Sequence, residues 1–193
     1  MRPMAFAFVL ILFLSASARA EWLLDLKGSD FTFGSVKNVA VAEVHHFTDL
    51  NASIQEDGAF SFKIALDGFD TGIEIRNQRM REFLFDTERF PNAAYSGTLD
   101  IEALRRLKTG QRAEVGVTGI LSLYGHQQPL EVRLVVTRLG EKRVLITPGR
   151  SIYLNAGDFG LLPGLEKLRQ LAGLKAISPV VPINFYLVFV ERP

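Results

Sequence analysis

The chain contains no cysteine among its 193 residues. A disulfide framework and a thiolate metal site are therefore both excluded. Without such cross-links, a stable fold has to come from a hydrophobic core. The roughly 170 residues that follow the N-terminal segment can bury about 70% of their unfolded surface, which is enough for one domain.

The chain also lacks a charge excess of either sign. It carries 22 Lys and Arg against 21 Asp and Glu, a formal net charge of +1. Loss of the N-terminal segment would remove Arg2 and Arg19 and no acidic residue, which shifts the formal charge to −1. A near-neutral domain offers no basic field for nucleic acid and little attraction to anionic lipid.

Histidine is scarce, with three residues in the whole chain. His45 and His46 are neighbours on a predicted strand, so their side chains point to opposite faces and cannot chelate one ion. His126 lies in the predicted turn "YGHQQP". Because no ligand-spaced run such as HxH or HxxxH occurs, we expect no metal site. The pattern indicates one histidine inside, one outside and one in a solvated turn.

No catalytic motif is present either. The sequence has no G-x-S-x-G elbow and no phosphate-binding glycine loop of recognised form. The acidic residues between 67 and 86 are interleaved with arginines, a pattern typical of surface ion pairs. We therefore predict that the protein is not an enzyme. The alternative is an enzyme that acts on an apolar substrate through His45 or His46.

The N-terminus reads as an export signal. "MRPMAFAFVLILFLSASARA" combines a basic start, an apolar run too short to span a bilayer, and an A-x-A cleavage site. The prediction is a cleaved signal peptide over residues 1–20 and a single domain over residues 21–193. An uncleaved membrane anchor is the alternative.

Period-two alternation of apolar and polar residues dominates the remaining chain. In "AFSFKIALDGF", Phe60, Phe62, Ile64 and Leu66 share one face of a predicted strand. Similar segments recur at regular spacing and predict eight or nine antiparallel strands, hence a sandwich or a barrel. The last strand, "INFYLVFV", is apolar on both faces, as expected of a strand that a helix covers on the outside or that lies at a closure seam. The chain has fifteen phenylalanines, and those of the predicted barrel either fill it or line an elongated apolar cavity.

Two stretches break this alternation and predict helices. In residues 76–91, Met80, Phe83 and Leu84 form an apolar stripe, and Thr71 with Glu74 has the form of a capping box. In residues 161–179, leucines recur at helical spacing. The first helix is expected to cover one barrel end as a lid, its arginines solvated or paired with Glu82 and Asp86. The second could plug the barrel, cover an open seam, or bind a partner or a membrane.

The order of these segments resembles the YceI-like family. The stretches that carry the resemblance are "DLKGSDFTFGSVKN", "VAEVHHFTDLNASIQEDG", "FDTGIEIRNQRMREFLFDTERFPNAAYSG" and "VTGILSLYGHQQPLEV". The resemblance implies an all-β fold, an antiparallel eight-stranded lipocalin-like barrel with one or two short helices covering its ends. It also implies a periplasmic protein that binds, transports or stores a long isoprenoid-type lipid, such as a quinone or polyprenyl chain. Asn77 and Arg79 depart from the acidic residue and the histidine found in many relatives.

Carrying the family pattern over by position gives a set of candidate ligand-binding residues. The barrel strands supply the tunnel wall, and the first helix supplies residues near the mouth. The predicted tunnel residues are Phe33, Phe47, Phe60, Phe62, Leu121 and Leu123, and the predicted mouth residues are Met80, Phe83 and Phe85.

The expected partner is a long-chain apolar lipid. We expect no nucleic acid, no transmembrane span in the mature chain, no metal and no cofactor other than a bound polyisoprenoid or quinone. A homodimer or a peripheral membrane contact is compatible with the sequence. The alternative function is a protein-interaction or stress-response barrel whose core is filled and which holds no ligand.

Overall fold

The computed structural model describes residues 21–192, which form twelve strands, three α-helices and connecting turns. The strands are β1 (Glu21–Leu24), β2 (Asp30–Lys37), β3 (Val41–Phe47), β4 (Leu50–Ile54), β5 (Ala59–Ala65), β6 (Phe69–Asp70), β7 (Asn92–Thr98), β8 (Arg112–Leu123), β9 (His126–Gly140), β10 (Arg143–Pro148), β11 (Ile152–Asn155) and β12 (Val180–Arg192). The helices are α1 (Glu74–Arg79), which continues as a π-helix over Met80–Phe85, α2 (Ile101–Arg105) and α3 (Leu162–Leu171). Short 3₁₀ turns occupy Leu26–Gly28 and Ala156–Phe159.

The strands close into a ring of eight. Pairing runs from β1 through β4, β5, β7, β8, β9, β10 and β12, and β12 pairs again with β1. Strands β2, β3, β6 and β11 prolong β1, β4, β5 and β10 beyond a local break in each. Every pairing is antiparallel, so the predicted eight-stranded antiparallel barrel is confirmed.

Strand β12 is the closure seam, and its composition explains why. It pairs with β10 and β11 along one edge and with β1 and β2 along the other. Where β1 breaks before β2, Ser29 fills the gap, because its hydroxyl accepts a hydrogen bond from the Val188 amide at 2.8 Å. Leu187, Val188 and Phe189 are all buried, consistent with the strand being apolar on both faces.

One end of the barrel, here called the base, is closed by side chains and by α2. Trp22, Leu104 and Val144 are each at most 2% exposed there. Asp100 caps α2, since its carboxylate accepts hydrogen bonds from the amides of Glu102 and Ala103. This helix was not predicted, because its five residues are too few to show helical periodicity.

The opposite end, here called the top, is covered by α1, its π-helical continuation and α3. The predicted capping box is wrong: helix α1 begins after Ile73, and the Thr71 hydroxyl donates instead to the side-chain oxygen of Asn77. Helix α3 is shorter than the predicted 161–179 and ends at Leu171. Helix α1 with its π-helical continuation is one cover of the barrel, and α3 is the other. Arg79 links the two covers, because its guanidinium donates to the Leu171 carbonyl at 3.2 Å. None of the helices between residues 21 and 192 is long and apolar enough to cross a bilayer.

Candidate ligand-binding cavity

The barrel encloses a cavity of about 530 Å³ between the base and the top. Its wall consists mainly of apolar side chains from the strands, completed at the top by residues of the two covers. This volume lies within the usual range for small-molecule sites, about 300–1,000 Å³. The phenylalanines were predicted either to fill the barrel or to line a cavity. The structure contains the cavity, so the second prediction is correct and the first is wrong.

Aromatic rings form a continuous cluster along one side of this cavity. Phe31 lies at its centre, with ring centroids 5.6 Å from Phe185 and 5.3 Å from Phe62. The cluster continues through Phe47 and Phe69 to Phe85 of the π-helix. Rings at these separations pack favourably against one another, and aromatic side chains have few rotamers. The aromatic part of the wall is therefore more rigid than a wall of flexible aliphatic side chains would be.

The structure brings eight of the nine predicted ligand-binding residues to the cavity wall. They are Phe33, Phe47, Phe60, Phe62, Met80, Phe85, Leu121 and Leu123. Contact of these residues with a ligand stays a prediction.

Phe83, the ninth predicted residue, lies outside the wall. Its ring is covered by the Lys167 ammonium of α3 at 5.5 Å. The cause is the π-helical turn, in which i→i+5 bonding widens the helix. Met80 then shares the inward face with Leu84 and Phe85, which are both buried, rather than with Phe83.

The wall becomes polar toward the top along β2 and β3. Going up these paired strands, the inward positions are Phe31 opposite Phe47, then Phe33 opposite His45, then Ser35 opposite Glu43. Lys37 is the last inward residue of β2. From Phe31 to Lys37 the strand rises about 20 Å, so the aromatic and the charged parts of the wall lie at different heights in the barrel.

Two of these residues, Lys37 and Glu43, join Arg76 of α1 in an ionic network at the top. The Glu43 carboxylate accepts from Lys37 Nζ and from Arg76 Nη1, both at 2.8 Å, and Arg76 Nη2 donates to the Thr71 carbonyl. The hydrogen bond from Lys37, with the nearby Arg76 charge, lowers the pKa of Glu43. Arg76 was expected to be solvated or paired with Glu82 or Asp86; instead it is half-buried and lines the cavity. The expected pairing with Asp86 is made by Arg89, at 3.1 Å.

His45 is the most buried polar residue of this end, at 3% exposure. Its Nε2 lies 3.0 Å from the Ser35 hydroxyl, and its Nδ1 is buried without a hydrogen-bond partner. Burial lowers the pKa of His45, and the positive charge of Arg76 lowers it further. His46 lies on the outer face, where its ring contacts Asp30 at 3.0 Å. The predicted placement of the two histidines on opposite faces is confirmed.

The opening of the cavity is marked by residues that both line it and are exposed. Ile73 and Ile75, at the start of α1, are 47% and 52% exposed and belong to the wall. Ala172, just after α3, shares both properties. The mouth therefore lies between the start of α1 and the end of α3, beside the polar end.

Asn77, one of the two departures from the family pattern, is buried and has a structural role. Its side-chain oxygen accepts from the Thr71 amide at 3.0 Å as well as from the Thr71 hydroxyl. These bonds hold the loop before α1 against the helix. Among residues 21–192, no three His, Asp or Glu side chains come together in a way that could hold a metal ion.

Comparisons with known proteins agree with this architecture. The model of the YceI-like domain family matches residues 22–189. A polyisoprenoid binding domain from Saccharophagus degradans, implicated in plant cell wall breakdown, is 33% identical with a TM-score of 0.87, and the match covers 89% of this chain and 98% of that one. No curated protein matches the chain.

Two more distant structures share the fold. BcnA from Burkholderia cenocepacia is 20% identical with a TM-score of 0.67, over 86% of this chain and 98% of that one. A YceI protein from Campylobacter jejuni is 14% identical with a TM-score of 0.51, over 77% and 82% of the two chains. The family match spans nearly all described residues, and the Saccharophagus domain resembles the chain in both sequence and fold. The chain belongs to the YceI-like domain family.

Proposed function

We propose that the protein binds a long isoprenoid-type lipid, a quinone or polyprenyl chain, inside the barrel. The observation that carries the proposal is the apolar cavity of about 530 Å³, closed at the base and open at one mouth. The 33% identical Saccharophagus domain, described as polyisoprenoid binding, supports the same ligand class.

The physical basis is burial of the lipid tail. Each methylene transferred from water to an apolar wall contributes about 0.8 kcal/mol, so a tail of several isoprene units binds without polar contacts. The aromatic cluster around Phe31 keeps the wall preformed. A preformed site avoids the entropic cost of ordering the protein at the moment of binding.

The protein would act in the periplasm as a carrier or store for this lipid. The signal peptide predicted for residues 1–20 lies outside the described residues, so this part of the proposal rests on the sequence and on the family. A water-filled compartment between membranes requires that a long apolar chain be shielded while it moves, which an enclosed cavity provides.

Binding without catalysis is the activity we assign. His45, the histidine in the cavity wall, is engaged with Ser35 rather than with a carboxylate that could orient it as a general base. Burial lowers its pKa, so the ring is neutral at physiological pH and adds no charge to the wall.

The test is to identify what the cavity holds. Protein purified without detergent is extracted with organic solvent, and the extract is examined by mass spectrometry. We expect an isoprenoid-type lipid, lost when Leu121 in the wall is replaced in Leu121→Trp. Ile120→Trp is the matched control, because Ile120 is the neighbouring residue on the outer face and 43% exposed. Repeated absence of lipid from the wild-type extract, together with failure to take up prenyl lipids added in vitro, would contradict the proposal.

A further inference from the structure

We propose that the rim of the cavity mouth docks on the surface of an anionic phospholipid bilayer, with the tip of the β2–β3 hairpin inserted among the lipid headgroups. The rim consists of three segments, residues 37–43 at that tip, residues 73–79 at α1, and residues 171–177 at the end of α3 and beyond it. The inference rests on the proposed function, because the bound lipid has to pass through this mouth. It assigns the place where the protein collects or delivers that lipid.

The three segments contact one another and form one continuous surface. Arg76 Nη1 donates to the Glu43 carboxylate at 2.8 Å, which links α1 to the hairpin. The Asn38 amide donates to the Ala176 carbonyl at 2.9 Å, which links the hairpin to the segment after α3. The hydrogen bond between the two covers, described above, completes the ring. Because each segment also supplies residues to the cavity wall, the ring surrounds the mouth.

Large apolar side chains on this rim are exposed to water. Val39, at the hairpin tip, is 85% exposed, the highest value among the large apolar residues that the structure describes. Val41 of the hairpin and Leu171 of α3 are exposed as well, as are Ile73 and Ile75 at α1. Apolar groups that gather around one opening are typical of a surface that becomes buried against a partner or a membrane.

The tip of the hairpin can enter a bilayer interface without carrying a charge into it. Residues 38–42, "NVAVA", are all exposed and include no charged residue. Val39 has a φ of +74°, in the left-handed region, where a β-branched side chain is strained. Its side chain lies in water and outside the core, so this strain stabilises nothing within the protein. Insertion of the side chain into a membrane accounts for a valine at this position.

The charges of the rim favour an anionic surface. The three segments carry four cationic residues and two acidic ones, a net charge of +2, whereas the chain without residues 1–20 has a formal charge of −1. Lys175 is exposed next to the hairpin tip, since its amide donates to the Asn38 side chain at 2.8 Å. A local excess of positive charge beside exposed apolar side chains attracts anionic lipid headgroups, although the domain as a whole is near neutral.

The first experiment measures flotation of the full mature chain with vesicles. The vesicles contain phosphatidylcholine with phosphatidylglycerol, and vesicles of phosphatidylcholine alone are the uncharged comparison. We expect the protein to float with the anionic vesicles and less with the uncharged ones. Val39→Asn should weaken this binding roughly tenfold, because an apolar side chain is lost from the interface. Leu139→Asn, an exposed position in the β9–β10 hairpin at the base, is the matched control and should bind as the wild type does.

Stability and ligand binding separate lost docking from lost folding. Asparagine tolerates the left-handed backbone better than valine, so Val39→Asn should be at least as stable as the wild type in urea unfolding. Val39 lies outside the cavity wall, so the variant should bind geranylgeraniol in solution as the wild type does, measured by displacement of a fluorescent apolar dye. Wild-type binding of Val39→Asn to the anionic vesicles would overturn the proposal.

Lys175→Glu tests the charge of the rim separately. It should weaken binding to the anionic vesicles about fivefold or more and leave binding to phosphatidylcholine vesicles unchanged. Added salt should weaken binding of the wild type to the anionic vesicles in the same direction. Lys142→Glu, an exposed position in the hairpin at the base, is the control and should have a smaller effect. Equal effects of the two lysine variants would overturn docking through the rim.

The remaining outcomes distinguish docking from the proposed function. A wild type that binds geranylgeraniol in solution but floats with neither kind of vesicle overturns docking and leaves the proposed function standing. A wild type that floats through Val39 and Lys175 but takes up no prenyl lipid overturns the proposed function and leaves the docking surface standing. A dimer that sedimentation detects without vesicles and that Val39→Asn abolishes would mean that a second copy of the chain covers the rim, which also overturns docking.

Discussion

Gly164 of α3 lies directly against the backbone of Leu84 in the π-helix. A Cβ atom added to Gly164 would stand 2.9 Å from the Leu84 Cα and 2.5 Å from the Phe83 carbonyl oxygen. Contacts this short do not occur between unstrained atoms, so the two covers of the barrel can approach only because residue 164 has no side chain. The close approach keeps Leu161, Leu165 and Leu168 in the cavity wall.

Replacement of this glycine should therefore destabilise the protein. Gly164→Ala would ordinarily stabilise a helix by about 0.5–1 kcal/mol. Here the clash is with backbone atoms that have little freedom to shift, and we expect a net loss of about 1–3 kcal/mol in urea unfolding. Gly140→Ala is the control, since a Cβ there would meet no atom within 4 Å. A stabilised Gly164→Ala protein would show that α3 does not pack on the π-helix in this way.

The pKa of His45 should respond in opposite directions to two neighbouring substitutions. The Arg76 charge lowers this pKa, whereas the Glu43 charge raises it. Arg76→Met should therefore raise the His45 pKa, and Glu43→Gln should lower it further. The measurement is an NMR titration of the ring carbon-bound protons, which is simple in a chain with three histidines.

The control for this pair of variants is Glu74→Gln, which removes a carboxylate that pairs with Arg81 on the exposed side of α1. It should leave the His45 titration unchanged. Shifts of the same sign in Arg76→Met and Glu43→Gln would mean that lost packing, rather than charge, dominates the environment of the ring.

Stability should rise with pH through the titration range of His45. Burial and the charges of Arg76 and Lys37 favour the neutral ring in the folded state, and only Glu43 opposes them. The unfolded chain has an ordinary histidine pKa of about 6.5 and takes up a proton below that value, while the folded chain does not. The stabilisation is thus fully present above about pH 7 and is lost as pH falls from there toward the lower folded pKa.

Urea unfolding between about pH 5 and 8 checks this dependence, with His45→Gln as the variant that lacks the titrating ring. The wild type should lose stability relative to His45→Gln as the pH falls. His46→Gln, on the outer face, serves as the control and should retain the wild-type slope. If the free energy of unfolding of His45→Gln depends on pH as that of the wild type does, groups other than His45 cause the pH dependence.

The inward phenylalanines could be predicted because strand geometry alone decides their direction. Once Phe60 is placed inside, Phe62 and Ile64 must follow, and all three line the cavity. The same rule points Ser35, Glu43 and His45 inward, since they share the parity of Phe31 and Phe47. This signal was present in the sequence, but no prediction was made from it for Ser35 or Glu43.

Other features depend on contacts that no local pattern encodes. Arg76 meets Glu43, 33 residues earlier in the chain, only because barrel closure brings α1 over the end of β3. Phe83 is turned away from the cavity by a π-helical turn, whereas its spacing from Met80 is that of an α-helical stripe. Whether the phenylalanines fill or line the barrel depends on its radius and on their rotamers, which composition does not specify.

Gly119 and Tyr95 provide a final test, this one of the cavity wall itself. A Cβ at Gly119 would lie 2.7 Å from Cε2 of the Tyr95 ring, which packs over this glycine from the neighbouring strand. The Tyr95 hydroxyl donates to the Leu130 carbonyl at 2.9 Å, and burial raises the pKa of Tyr95 to about 12. The Tyr95 ring therefore lies against the wall for two reasons. Gly119 has no side chain to displace it, and its hydroxyl is fixed by the hydrogen bond.

Gly119→Val should push the Tyr95 ring into the cavity and break its bond to Leu130. The added Cβ would also lie 2.5 Å from the Ser96 carbonyl oxygen, so this backbone clash adds to the loss of the hydrogen bond, and we expect a destabilisation of more than about 1 kcal/mol. The displaced ring should also weaken uptake of long prenyl chains. Because the hydroxyl would no longer donate to the Leu130 carbonyl, a bond that favours its protonated form, it should ionise at lower pH. This is followed as tyrosinate absorbance, with Tyr95→Phe as the baseline that lacks this group. Gly116→Val is the matched control on the same strand, because a Cβ there meets no atom within 4 Å. If Tyr95 titrates in both valine variants as it does in the wild type, the position of its ring does not depend on the missing side chain at residue 119. The wall would then have room to adjust to the added valine.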